Sequence, residues 1–289
     1  MGKDLIDSGF IRKLERLKLN SNVILNKGYS GARKSKSKGS SVEFSDYREY
    51  APGDDFRKID WNAYARFEKL FIKLFMEERE ALVNVFLDAS KSMDFGNPKK
   101  SLIAQQLALS MAYLSLSNMD RVNIFSNSDT GMSDSGYLNG KNTFHRLVNY
   151  IEKLKFDKKI DLFSYINNRP FKRGISLIIS DLFTDNFEEA IKYLAYNKQS
   201  VIVIHTLSRE EIHPRDTGDI RFIDSETNEA KDVSVTASIL KSYEDTFNAY
   251  TTAIKEICNK YSCLYILVSN ETSMEEIIFD SLIKAGILR

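Results

Sequence analysis

Cysteine, histidine and net charge are all scarce in this 289-residue chain, and each scarcity removes a class of function. Two cysteines cannot build a disulfide framework, and without histidines beside them they do not make a zinc site. Cys258, expected on a helix, and Cys263, expected on the next strand, read as reduced core thiols. His145, His205 and His213 are scattered without triad or metal spacing, and His205 in an apolar strand reads as a core residue. The chain carries 41 basic and 40 acidic side chains, a net charge of +1, so no global field draws it to nucleic acid or an anionic membrane. No apolar run approaches the roughly 18 residues of a membrane span, and no signal pattern opens the chain. The expectation is a cytoplasmic protein without stable membrane insertion. Ile6 stands where N-myristoylation wants Ser or Thr. No strand leads into a Gly-Lys-Ser/Thr or Gly-x-Gly-x-x-Gly loop, so nucleotide binding lacks its motif. Arg33, Lys34, Lys36 and Lys38 lie among Ser and Gly with little aromatic interleaving, which describes a solvated loop better than a nucleic-acid patch.

What the chain does have is a hydrophobic content of 43%, enough to fill a substantial core. From about Leu82 onward strand-like and helix-like segments alternate. The predicted strands are 82–88, 121–126, 175–180, 201–207 and 263–268. Near-continuous runs such as Ile175–Ile179 and Val201–Ile204 suit strands covered on both faces. Residues 99–117 are apolar almost all round, which predicts a helix buried deeply against the sheet. Leu240, Tyr243, Phe247, Tyr250, Ile254 and Ile257 recur at steps of three and four, predicting a long surface helix with one face inward; a last helix is expected over roughly 273–286. This alternation predicts a three-layer α/β/α, Rossmann-like domain with a mostly parallel sheet over 81–289. Residues 127–142 predict a short hairpin or edge strand, and 208–236 a loop with a small β excursion. Residues 1–80 are expected to form a separate amino-terminal region packing on that core, beginning with a helix over 4–18.

The apolar run Ala81–Leu87 ends in Asp88-Ala-Ser90-Lys-Ser92, and Ile175–Ser180 ends in Asp181. In an open α/β sheet, ligands bind at the carboxyl ends of the strands. If these two strands are neighbours, two carboxylates and two hydroxyls converge. Like charges so close would repel, and a divalent ion relieves them. Oxygen-only ligation suits Mg²⁺ or Mn²⁺ and not zinc or copper. The metal-site residues expected are therefore Asp88, Ser90, Ser92 and Asp181. A lysine filling the gap between the two acids would defeat that expectation.

Asp-x-Ser-x-Ser with a later strand-end Asp resembles the metal-ion-dependent adhesion site of von Willebrand factor type A domains. Upstream, Glu43-Phe44, the stretch Arg48-Glu-Tyr50-Ala-Pro-Gly53-Asp54-Asp55-Phe-Arg57-Lys-Ile-Asp60-Trp61, and Ala65-Arg66 resemble the signature of a bacterial family catalogued as domain of unknown function 58. Glu210/Glu211, His213-Pro214, Gly218, Phe222, Asp224 and Glu226-Thr227 fit the same family, and the resemblance covers roughly residues 28–289. It implies a von Willebrand factor A-like fold and a partnership with MoxR-type AAA+ ATPases, with no catalytic reaction established. In such adhesion sites the two serines bind the ion directly, a Thr from an intermediate loop completes the set, and a partner's acidic group takes the open position. Here Ile160 occupies the expected Thr position in Lys158-Lys159-Ile160-Asp161-Leu162, and Thr143 lies one helix too early. Mg²⁺ readily keeps waters, so one lost neutral ligand weakens such a site without forbidding it.

The segment 48–66 pairs opposite charges densely. Asp54 or Asp55 reads as the cap of a short helix containing Ile59-Asp-Trp61, and Arg48, Asp54, Asp55, Arg57, Asp60, Trp61 and Arg66 read as a structural network or a docking surface for the ATPase. The function expected is a non-enzymatic, metal-dependent interaction module that binds a client or partner carboxylate through Mg²⁺ (or Mn²⁺). Two alternatives stand beside it. One is a Mg²⁺-dependent phosphoryl hydrolase, against which Ser90 replaces the second acid of a dehalogenase-type Asp-x-Asp. The other is a structural interaction domain with a degenerate metal site.

Overall fold

A computed structural model of the chain describes residues 5–20, 42–77, 80–157, 161–167, 169–223 and 229–289. The basic segment 28–41, Lys158-Lys159-Ile160, and Asp224 with Glu226-Thr227 lie outside the described residues. The chain divides into two compact units, 1–30 with 81–289, and 31–80.

In the larger unit, strands β3 (Leu82–Leu87), β4 (Arg121–Ser128), β7 (Gly174–Ser180), β8 (Gln199–Leu207) and β11 (Leu264–Ser269) are parallel, in the order β11-β8-β7-β3-β4. The short strands β5 (Gly131–Asp134) and β6 (Leu138–Asn139) pair antiparallel to β4. Every predicted strand is present within two residues of its expected ends. The alternation of side chains across the pleat divides the apolar runs between two cores. Val83, Val85, Leu87, Ile175, Leu177, Ile179, Ile202 and Ile204 enter one layer; Phe86, Ile178, Val201 and Val203 enter the other. Both faces are covered, which is why these strands read as continuous hydrophobic runs.

The first layer is built on α3 (Lys100–Ser117), buried along most of its length as its all-round apolar character predicts. It also holds α1 (Ser8–Leu14), whose Phe10 and Leu14 are core residues, and α4 (Phe144–Glu152). Gln106 Nε2 donates to the Leu5 carbonyl at 2.9 Å and the Tyr113 hydroxyl to Glu15 at 2.8 Å. The amino-terminal helix therefore belongs to the α/β unit, contrary to a division at 80/81, because its apolar face is buried by α3. It is also shorter than the 4–18 expected. The second layer holds α5 (Phe163–Ile166), α6 (Phe187–Tyr196) and the carboxyl half of α8 (Ala237–Lys260).

Helix α8 departs from expectation in its first half. Only Thr251, Ile254 and Cys258 are buried; Tyr243 is exposed, stacked on Phe247 with centroids 6.2 Å apart. Twenty-four residues make a helix of about 36 Å, longer than the sheet needs, so the stripe at 240–247 runs on beyond the core. The small β excursion is the antiparallel pair β9 (Gly218–Ile223) and β10 (Ala230–Val235), preceded by the one-turn α7 (Arg209–Ile212).

The smaller unit is an antiparallel pair, β1 (Val42–Glu49) and β2 (Phe71–Glu77), with α2 (Trp61–Phe67) between them. Asp55 caps the single turn Phe56–Lys58, whereas Asp60, not Asp54 or Asp55, caps α2 by accepting from the amides of Asn62 and Ala63. The helix accordingly starts one turn later than the sequence suggested.

Candidate functional site

The β3–β7 register pairs Leu87 with Ile179, and the Asp88 amide donates to the Ile179 carbonyl at 3.0 Å. That register alone brings Asp88 and Asp181 to one end of adjacent strands. Between them lies a cavity of about 220 Å³ lined by Asp88, Ser90, Ser92, Asp161, Asp181 and Thr184, among others, and among the described residues no Lys or Arg lines it. All four expected metal-site residues therefore line one pocket.

Asp88 is held from three directions. The Ser180 hydroxyl donates to its Oδ2 at 2.6 Å, while Oδ1 accepts from the Ser90 amide at 2.9 Å and from Asn127 Nδ2 at 3.3 Å. Asn127 is fixed in turn by the Ala89 amide, which donates to its Oδ1 at 2.8 Å. Burial, and after it the neighbouring Asp181 carboxylate, push Asp88 above the usual carboxylate range despite these donors. Asp181 begins a sharp turn in which Leu182 adopts φ +60, a left-handed conformation that a leucine rarely accepts. The turn is clamped through Leu182: its amide donates to Ser180 Oγ at 2.9 Å, and its carbonyl accepts from the Tyr250 hydroxyl at 2.6 Å. Behind it, His205 Nε2 donates to the Asp181 carbonyl at 2.9 Å and Nδ1 accepts from the Tyr265 hydroxyl at 2.8 Å. A carbonyl can only accept, so the proton is on Nε2. Burial holds this histidine neutral, its pKa lowered to about 4.

A lysine does reach this site. Lys100, in the first turn of α3, is fully buried at 0% exposure, and its ammonium lies 2.9 Å from Asp181 Oδ2 and 2.6 Å from Glu211 Oε1. Its hydrogen bonds go to Asp181 and Glu211, and it is not among the described residues that line the cavity.

The donors present suit a hard divalent ion in one specific respect. Adjacent corners of an octahedron with bonds of about 2.1 Å are about 3.0 Å apart, and Ser90 Oγ and Ser92 Oγ, which hydrogen-bond to each other here, are 3.0 Å apart. Asp88 Oδ2 has a lone pair beyond the one Ser180 uses. Among the described residues no three His, Cys, Asp or Glu side chains converge as an ion cage, so an ion here would rest on the hydroxyl pair.

Thr143, which the sequence places one helix too early, is not among the described residues lining the pocket. Thr143 donates to the Gly140 carbonyl at 2.8 Å, capping its own turn. The pocket's threonine is Thr184, from the loop after β7, whose hydroxyl donates to Asp161 Oδ2 at 2.7 Å; Asn186 Nδ2 donates to the same oxygen at 2.7 Å. Asp161 thus ties the loop before α5 to the loop before α6. Ser180, Asn127, Thr184 and Lys100 were all missed. Lys100 did leave a signal, because a cation in the first turn of an otherwise apolar helix opposes the helix dipole and needs a compensating partner.

The expected docking residues lie in the smaller unit and divide by burial. Asp60 is buried, capping α2 and accepting from the Tyr47 hydroxyl at 2.7 Å. Arg48 pairs with Asp54 at 2.8 Å, while Arg57 reaches Asp55 only at 4.0 Å. Trp61 is 62% exposed and edge-on to Tyr64. Arg66, with Tyr47, Phe67 and Phe71, lines a groove of about 830 Å³.

Comparison with known proteins supplies relatives without a described activity. An uncharacterized protein of Mycobacterium tuberculosis (strain ATCC 25618 / H37Rv) and one of Mycobacterium bovis are each 25% identical over 206 residues, 68% of this chain and 65% of theirs. The chain thus spans about 65% of the length of these curated relatives. Among solved structures, conserved hypothetical protein BatB from Bacteroides thetaiotaomicron is 14% identical with a TM-score of 0.44, covering 71% of this chain and 98% of that one. The SpRpn10 VWA domain is 10% identical with a TM-score of 0.38, covering 68% of this chain and 92% of the other. A family model described as "Protein of unknown function DUF58" matches residues 46–252, well over half of the chain, and to that family this protein belongs.

Proposed function

We propose that the protein is a non-enzymatic interaction module that captures a carboxylate of a partner through a Mg²⁺ or Mn²⁺ ion held at the carboxyl ends of β3 and β7. One observation carries the reading: two serine hydroxyls 3.0 Å apart in a pocket whose described lining holds Asp88, Asp161, Asp181 and Asp185 and no base. Ser90 and Ser92 would be direct ligands. Asp88, oriented by Ser180, Asn127 and the Ser90 amide, would act directly or through water, and Asp181 would contribute charge from behind. A bound ion supplies a positive centre with an open position for a partner's carboxylate. The proposed partner is a MoxR-type AAA+ ATPase acting on a client protein, with the exposed charged and aromatic surface around Arg48, Arg57, Trp61 and Arg66 as a second contact. Capture of the ATPase by the full chain should fall with excess EDTA and in Ser90→Ala. Equal capture in both would reject the ion-bridged mechanism.

A second reading is favoured by Lys100. Its ammonium already neutralises part of the acid cluster, as a resident cation would in an interaction domain with a degenerate metal site. Titration calorimetry with Mg²⁺ and Mn²⁺ separates the two, since no heat and no thermal shift would support the degenerate site.

A further inference from the structure

We infer that Lys100 is the residue that sets the pocket's affinity for its ion, a positioned counter-cation whose charge is divided between Asp181 and Glu211. The inference deepens the ion-bridged reading above and rests on it. Lys100 sits where a lysine is least favoured, fully buried and at the positive end of α3. Two carboxylates and the face of Phe183, 5.6 Å from the ammonium, compensate it. Glu211 is itself fixed, because its Oε2 accepts from the Ser208 amide at 2.7 Å in a capping box and its carbonyl accepts from the Tyr243 hydroxyl at 2.7 Å. One ammonium is therefore shared between the residue that follows β7 and one in α7, and held there by α3.

Lys100 is not among the described residues lining the cavity, so it acts on an ion through its own charge and the charge it leaves on Asp181, not by occupying the site. That gives the two partners of Lys100 effects of opposite sign. Removing the ammonium returns Asp181's full charge to the pocket and tightens divalent binding. Removing the Glu211 charge leaves the ammonium to Asp181 alone and loosens it. A merely structural role would weaken binding in both cases, since breaking either pair only disturbs the pocket.

The test is calorimetric titration of Mn²⁺ into the full chain, with thermal melts in EDTA to confirm folding. Expected are a Kd at least tenfold tighter in Lys100→Met, about tenfold weaker in Glu211→Gln, and close to the parent in the double variant. Shifts in the same direction, or no shift in folded variants, overturn the inference. Should Lys100→Met fail to fold, Lys100→Gln takes its place beside Glu211→Gln, and unchanged or weaker binding in the folded Lys100 variant overturns the inference. If the parent binds Mn²⁺ and Ser90→Ala does not, while the Lys100 and Glu211 variants match the parent, only this inference falls. If neither parent nor folded Lys100→Met takes Mn²⁺, the ion reading falls and the inference with it.

Discussion

Ser180→Ala should cost the α/β unit about 3 kcal/mol, although an alanine fits the space and alternates correctly in β7. The hydroxyl does two things at once. It donates to Asp88 Oδ2 at 2.6 Å and accepts from the Leu182 amide at 2.9 Å, and the serine is fully buried. A hydrogen bond to a charged group contributes roughly 1.5–3 kcal/mol, and a buried amide left without a partner costs roughly 1–3 kcal/mol. The two losses share one atom, so they do not simply add, and a value near the middle of the combined range is expected. Leu182 sharpens the effect, because its φ of +60 persists only while its amide and carbonyl are held. Urea unfolding at pH 7, followed by far-ultraviolet circular dichroism, measures it. With a slope of about 3 kcal/mol/M the midpoint should fall by about 1 M. Ser180→Thr, which keeps the hydroxyl, should recover much of the loss. A change below about 0.5 kcal/mol in Ser180→Ala would mean that the serine does not hold the strand-end carboxylate.

Gly174→Ala should destabilise by about 1–3 kcal/mol or more, because the added methyl would press on the Leu82 carbonyl oxygen and come within 3.1 Å of Leu82 Cβ; chemical denaturation checks it, and a neutral result would refute the close β3–β7 approach. The His205 pKa is depressed from 6.5 to about 4, so the unfolded chain binds the extra proton between those values. Its contribution is complete above pH 6.5 and is lost as pH falls toward 4, by up to about 3 kcal/mol. Asp88, raised in the fold, acts in the opposite sense, so the parent should be compared with His205→Gln, whose stability lacks this component; parallel pH profiles would contradict the assignment. Burial pushes both Cys258 and Cys263 thiols up to about 12, so neither should react with a disulfide reagent at pH 8 until urea unfolds the chain, and rapid reaction in the native state would show the pocketed thiols to be accessible.

The layered α/β architecture was legible in the sequence because continuous apolar runs such as Ile175–Ile179 have one stable solution, burial on both faces of a sheet. The strand ends were legible too, since Asp88 and Asp181 each interrupt such a run with a charge that, once buried, needs partners of its own. Segments whose partners lie far along the chain were harder. The amino half of α8 carries the same stripe as the carboxyl half, yet periodicity cannot say where the sheet beneath it stops. The cap of α2 moved to Asp60 because three aspartates within seven residues, Asp54, Asp55 and Asp60, offer several equivalent caps to a local reading.

The chain by itself therefore determined which residues must be buried in which pattern, and that a carboxylate and two serines would stand at one strand end. Only the tertiary structure decided what surrounds them. Asp88 is held by Ser180, 92 residues away, and Asp181 by Lys100, 81 residues away. Local periodicity reports the side of a strand or helix on which a residue lies. Whether its charge is free, shared or cancelled depends on which distant groups the strand order brings against it.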